Sequence, residues 1–131
     1  MSIPNVDVVM PVFNRYNETL ITINSLNKYK SHNLKLTVVD NGSTQDLRDE
    51  LIKLYSDKSI DNLLLLDNNY GVSCACNVGW EISDAPFFMK LDNDIEIISS
   101  TWIEDIFHMW GKNRYNTIFG QDWNCNKEIG K

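Results

Sequence analysis

No run of about eighteen apolar residues occurs in the 131-residue chain, which leaves no segment able to form a membrane-spanning helix. The first residues, Met1-Ser2-Ile3-Pro4-Asn5-Val6-Asp7, lack the basic and apolar blocks of a signal peptide, so a cytoplasmic protein is expected. Cysteine is sparse and odd in number. Cys74, Cys76 and Cys125 show no repeated C-x-x-C spacing, which argues against a disulfide framework, and with only His32 and His108 as further soft ligands it also argues against structural zinc. Positive charge is short as well. Twelve Lys and Arg against eighteen Asp and Glu leave a net charge of −6, with the acids spread along the chain, which argues against a nucleic-acid surface. Neither G-x-G-x-x-G nor G-x-x-x-x-G-K-[ST] follows the first apolar run, which disfavours a nicotinamide dehydrogenase and a P-loop enzyme. No low-complexity stretch or Pro- and Gly-rich linker marks an internal boundary.

What is present is globular composition, 43% hydrophobic and 11% aromatic, in an alternation of short apolar runs and helix-like segments that fits one domain. Residues 6–12 read as a first strand and 17–30 as a helix with Leu20, Ile23 and Leu26 near one face. A second strand follows at 34–39. Ser43, with Asp46 three residues on, reads as a helix start, and Leu47, Leu51 and Leu54 give that helix a buried stripe. The run 60–66, with four consecutive leucines, suits a strand buried on both faces. A third helix over 72–82, a strand over 87–91 and an extended piece over 95–98 come next. A fourth helix then carries Trp102, Ile103, Ile106, Phe107 and Trp110 on one face, and 117–120 reads as a last strand. Strands alternating with helices imply an α/β fold with a mostly parallel sheet, right-handed crossovers and helices on both faces. In such a sheet ligands bind at the carboxyl edge, in the loops that follow the strands.

The unusual polar residues do follow strands. Asn14 and Arg15 come after the first, Asp40-Asn41-Gly42-Ser43-Thr44 after the second, Asn68-Asn69-Tyr70-Gly71 after the third and Asp92-Asn93-Asp94 after the fourth. Each alone could be plain turn chemistry. A carboxylate pair at a strand end is also suited to a hard divalent cation and the diphosphate that it bridges.

Four segments, V-V-M-P-V-F-N-R (8–15), T-V-V-D-N-G-S-T (37–44), N-Y-G-V-S-C-A-C-N-V-G (69–79) and K-L-D-N-D (90–94), together resemble the inverting family 2 glycosyltransferases of the GT-A fold. The resemblance implies a nucleotide-sugar donor site, UDP-linked by expectation, over a donor-binding domain spanning 1–131. It places Pro11 and Phe13 against the base with Asn14 and Arg15 beside them, Asp40 hydrogen-bonded to the base, and Asn69, Gly71 and Asn77 near the nucleoside. Asp92 would contact ribose or sugar, with Asn93 beside it among the nucleotide-binding residues. Asp94, with Asp92, would coordinate Mn²⁺ or Mg²⁺, whose charge stabilises the departing diphosphate. Where the family commonly has an arginine before the counterpart of Asn77, this chain has Cys76.

Inverting transfer also needs a general base for the acceptor hydroxyl, which in the family lies far beyond the D-x-D motif in an acceptor-binding half. Little of the chain follows Asp94, and Asp122 is the one acid there that follows an expected strand. The acceptor half is therefore expected to be largely absent, with a glycan, lipid or protein acceptor all open. The apolar face of the fourth helix then either packs on the sheet, meets a missing C-terminal half or pairs with a second copy in a homodimer. A non-catalytic nucleotide-binding or interaction module on the same fold is the alternative function.

Overall fold

Seven consecutive buried residues form the central strand β1 (Val6–Val12), as its run of valines predicts. The computed structural model describes residues 3–31 and 33–112. After β1 come α1 (Tyr16–Lys28), β2 (Leu34–Asp40), α2 (Gln45–Ser56), β3 (Asn62–Leu65), α3 (Val72–Glu81) and β4 (Phe87–Lys90). The strands make one parallel sheet in the order β3-β2-β1-β4. The direction of growth reverses at β1: β2 and β3 build outward on one side and β4 on the other. Such a reversal opens a crevice at the carboxyl edge between the loops after β1 and its neighbours.

Side-chain alternation assigns the helices to faces. Val9 and Val39 pack with Ala75 of α3, and Leu64, Leu66 and Trp80 join that cluster. Gly79 brings the α3 backbone so close that a Cβ there would sit 2.6 Å from Val9 Cγ1. The opposite face, with Val8, Met10, Leu36 and Val38 fully buried, is left for α1 and α2, which supply Ile23, Leu26, Leu47 and Leu51.

Several expectations are corrected. β3 is no doubly buried strand: it is an end of the sheet, its residues are half-buried and Leu65 is exposed. The stripe of α1 is Thr19, Thr22, Ile23 and Leu26, with Leu20 only half-buried, because the hydroxyls of that face carry the segment after β4. Thr22 Oγ1 accepts from Ile95 N at 3.0 Å and Ser25 Oγ from Ile97 N at 2.9 Å, so the expected extended piece runs along α1 without joining the sheet. Thr44, rather than Ser43, caps α2; its hydroxyl donates to Asp46, and this bond together with a backbone amide at Leu47 lowers the Asp46 pKa.

Contacts divide the chain after Ser100, and the remainder is described by itself. There α4 (Trp102–Lys112) opens with Glu104 and Asp105, and Asp105 N donates to Thr101 O at 2.9 Å. Among the described residues no helix is long and apolar enough to cross a membrane. The strand expected at 117–120, Asp122 and Cys125 lie outside the described residues.

Candidate functional site

The loop after β1 turns sharply because two consecutive non-glycine residues, Asn14 (φ 56°) and Arg15 (φ 61°), adopt the left-handed conformation. Asn tolerates that region better than most residues. The turn makes Asn14 a tie between three loops. Its amide N donates to Ser43 Oγ at 2.8 Å, its Oδ1 accepts from Thr44 N at 3.1 Å, and its carbonyl accepts from Asn93 Nδ2 at 3.3 Å. Asn93 also donates to Thr19 Oγ1 at 3.0 Å. Asn41 performs the same service on the other side: its Nδ2 donates to Gly71 O at 3.0 Å and its Oδ1 accepts from Tyr70 N at 3.0 Å. Gly42 (φ 85°) lets the β2 loop pass the β3 loop, for a Cβ there would come within 2.9 Å of the Asn68 carbonyl carbon. All four carboxyl-edge loops are thus fastened to one another.

Within this frame the expected site residues fall into three groups. Pro11 is buried and Phe13 is half-exposed beyond it at the strand's end. Asp40 is fully buried; its Oδ2 accepts from Arg48 Nη1 at 3.0 Å and Ser43 N at 3.2 Å, while Oδ1 is buried with no hydrogen-bond partner among the described residues. Arg48 also donates to Leu66 O at 2.7 Å, so it holds β2 and β3 ends together.

The second group lies around α3. Asn69 Oδ1 accepts from Gly71 N at 2.9 Å, closing the turn before the helix, and Gly71 takes φ 90°, which favours glycine. Asn77 is exposed on α3 and lines a groove of about 330 Å³ with Val72, Ser73, Cys76, Trp80 and Lys90. Burial pushes the Cys76 thiol up.

The third group is the acidic turn. Asp92 and Asp94 are both exposed and each faces a cation: Lys90 Nζ lies 2.6 Å from Asp92 Oδ1, and Arg15 Nη1 lies 3.4 Å from Asp94 Oδ2. Asn93 between them points inward and fixes the turn to α1. The donor set, two solvent-facing carboxylates without sulfur or imidazole, fits a hard divalent cation. No cluster of three His, Cys, Asp or Glu exists among the described residues, so phosphate and water oxygens would complete such a shell.

Asn14 and Asn93, both expected at the nucleotide, lie at this edge, where Asn14 Oδ1 accepts from Thr44 N and Asn93 Nδ2 donates to Asn14 O and Thr19 Oγ1. Arg48 and Thr19 lie outside the segments quoted from the sequence, and Asn41 and Lys90 lie within them without an expected role. Their partners lie from 2 to 74 residues away, so only Lys90, two residues before Asp92, gave a local signal.

The family model described as Glycosyl transferase family 2 matches residues 7–131. The chain belongs to glycosyl transferase family 2. Among its relatives is an uncharacterized glycosyltransferase of Rickettsia bellii, 36% identical over 90 residues, which are 68% of this chain and 13% of that protein. Another is the teichoic acid poly(glycerol phosphate) polymerase of Staphylococcus epidermidis, 38% identical over 80 residues, 59% of this chain and 11% of that one. The chain therefore spans a small part of the length of these relatives. Two solved structures share the fold, which is GT-A. S. aureus TarS 1-349, also solved in complex with UDP, aligns with a TM-score of 0.69 at 18% identity over 90% of this chain and 38% of its own. The mannosyltransferase PcManGT of Pyrobaculum calidifontis, in complex with GDP-Man and Mn²⁺, gives 0.71 at 16% identity over 83% and 33%.

Proposed function

We propose that residues 1–131 form the donor-binding part of a metal-dependent glycosyltransferase that moves a sugar from a nucleoside diphosphate sugar, UDP-linked, to an acceptor hydroxyl with inversion. The observation that carries this reading is the fastening of four polar loops at the carboxyl edge, with Asp40, Asp92 and Asp94 on that one edge. Phe13 offers an exposed ring to the base, and the unpartnered Oδ1 of Asp40 offers an acceptor beside it. Asn69, Gly71 and Asn77 line the nucleoside side. Asn14 and Asn93 hold the loops on which the donor rests.

Asp94 and Asp92 would hold Mn²⁺ or Mg²⁺, which acts as a Lewis acid on the departing diphosphate. Arg15 then exchanges its carboxylate partner for phosphate oxygen, a charge-assisted contact. Binding of GDP-Man with Mn²⁺ by one structural neighbour and of UDP by another supports a nucleotide-and-metal site on this fold. The acceptor is a glycan, lipid or protein hydroxyl, and no role is assigned to Asp122, which lies outside the described residues.

Calorimetric titration of UDP and GDP, with and without Mn²⁺, tests the reading. The expected outcome is Mn²⁺-dependent binding that Asp94→Ala abolishes. Absence of binding by both nucleotides, or binding unchanged in Asp94→Ala, overturns it.

A further inference from the structure

Lys90 ends β4 in register with Val9 of β1, and Val9 lies against α3. In-register neighbours of a parallel sheet share a face, so Lys90 projects toward α3. Phe88, two residues earlier on that face, confirms the direction by stacking on Trp80 with ring centroids 6.1 Å apart. Lys90 therefore forms one wall of the groove whose other wall is Val72, Ser73, Cys76, Asn77 and Trp80 of α3. Of these six residues it alone carries a charge, because α3 (VSCACNVGWE) contains no Lys or Arg. The ammonium lies close enough to Cys76 to oppose part of the rise that burial imposes on the thiol.

The charges at this edge have a consequence once a donor binds. A divalent ion taken up by Asp92 and Asp94 would have its two positive charges matched by those carboxylates, so ion, carboxylates and diphosphate together leave negative charge that Arg15 alone does not offset. Taking up the ion also frees Lys90 from Asp92, to which one of its three donors now points at 2.6 Å. A lysine is a point charge on a flexible stem and can follow a phosphate over a few ångströms. Resting on the donor-site reading above, we propose that Lys90 binds the diphosphate of the donor, supplying from β4 the positive charge that α3 lacks.

The test compares UDP with uridine, each titrated with Mn²⁺ present by calorimetry or ligand-observed NMR. Lys90→Met is expected to weaken UDP binding about tenfold, the scale of a charged hydrogen bond, and to leave uridine binding unchanged. A cation returned to the opposite wall, in the double variant Lys90→Met with Ser73→Arg, is expected to restore most of the UDP affinity. Lys90→Gln, which stays solvated, carries the same expectation should the methionine variant fold poorly. UDP binding by these variants as tight as that of the native chain overturns the proposal and leaves the donor site standing. Equal loss of UDP and uridine overturns it too, since that marks a structural role. A native chain that binds neither UDP nor GDP overturns the donor site itself.

Discussion

Asn14 shows how much one side chain contributes to the carboxyl edge. Its Oδ1 meets the backbone N–H of Thr44, the cap of α2. The bond is exposed, so water takes over part of it and its removal costs about 0.5–1.5 kcal/mol. Asn14→Ala is expected to lose that much in urea denaturation and to weaken nucleotide binding by loosening three loops together. Asn14→Gly removes the same amide but relieves the left-handed backbone, so it should cost less than alanine. The ordering of the two variants, read from their urea midpoints, checks both halves of the argument. In the sequence Asn14 is visible as a polar residue after a strand and, through the family resemblance, as a nucleotide-side residue, but not as a tie between loops. Its role as a tie depends on Ser43, Thr44 and Asn93, which are 29 to 79 residues away, and no local pattern encodes such a pairing.

At the scale of elements, α3 approaches the sheet through Gly79. A methyl at that position would overlap both Val9 and Val39. Gly79→Ala is expected to destabilise by about 1–3 kcal/mol, as overpacking does. Adding Val9→Ala opens the space that the methyl needs, so the double variant should be more stable than the sum of the two single losses predicts. Equilibrium unfolding of the three variants measures that coupling. The first turn of α2 gives a pH-dependent test. Asp46 has its folded pKa lowered by Thr44 and Leu47, so its contribution is present above the ordinary carboxylate pKa and is lost as pH falls through the folded value. Asp46→Asn should therefore be less stable than the native chain near neutrality, and the difference should shrink in melts taken at progressively acidic pH. The strands and helices were largely legible because their periodicity is local: β1 was placed residue for residue, and of the stripe expected on α2, Leu47 and Leu51 are buried and Leu54 half-buried. The run Leu63 to Leu66 misled because burial of a strand depends on its place in the order β3-β2-β1-β4, which the run itself does not carry. Thr19 and Thr22 were passed over because threonine does not count toward an apolar stripe, although here its hydroxyls are what the neighbouring segment needs.

At the scale of the whole molecule the net charge of −6 opposes binding of an anionic nucleotide, and a divalent ion is what reconciles the two. Melting temperature reads this directly. A ligand at about a hundred times its Kd stabilises by about 2.7 kcal/mol, which for a chain of this size raises Tm by roughly 10 °C. UDP with Mn²⁺ is expected to give a shift of that order, UDP alone a much smaller one, and a chelator added afterwards should return the melt to that of the free chain. The frame proposed to receive the donor is already fastened in the free protein. Consecutive left-handed residues at Asn14 and Arg15 are held from outside by the bonds of Asn14 to Ser43, Thr44 and Asn93. The ordering of these loops is accordingly an entropic cost borne during folding rather than at the moment of encounter, and an incoming nucleotide keeps more of its contact energy as affinity.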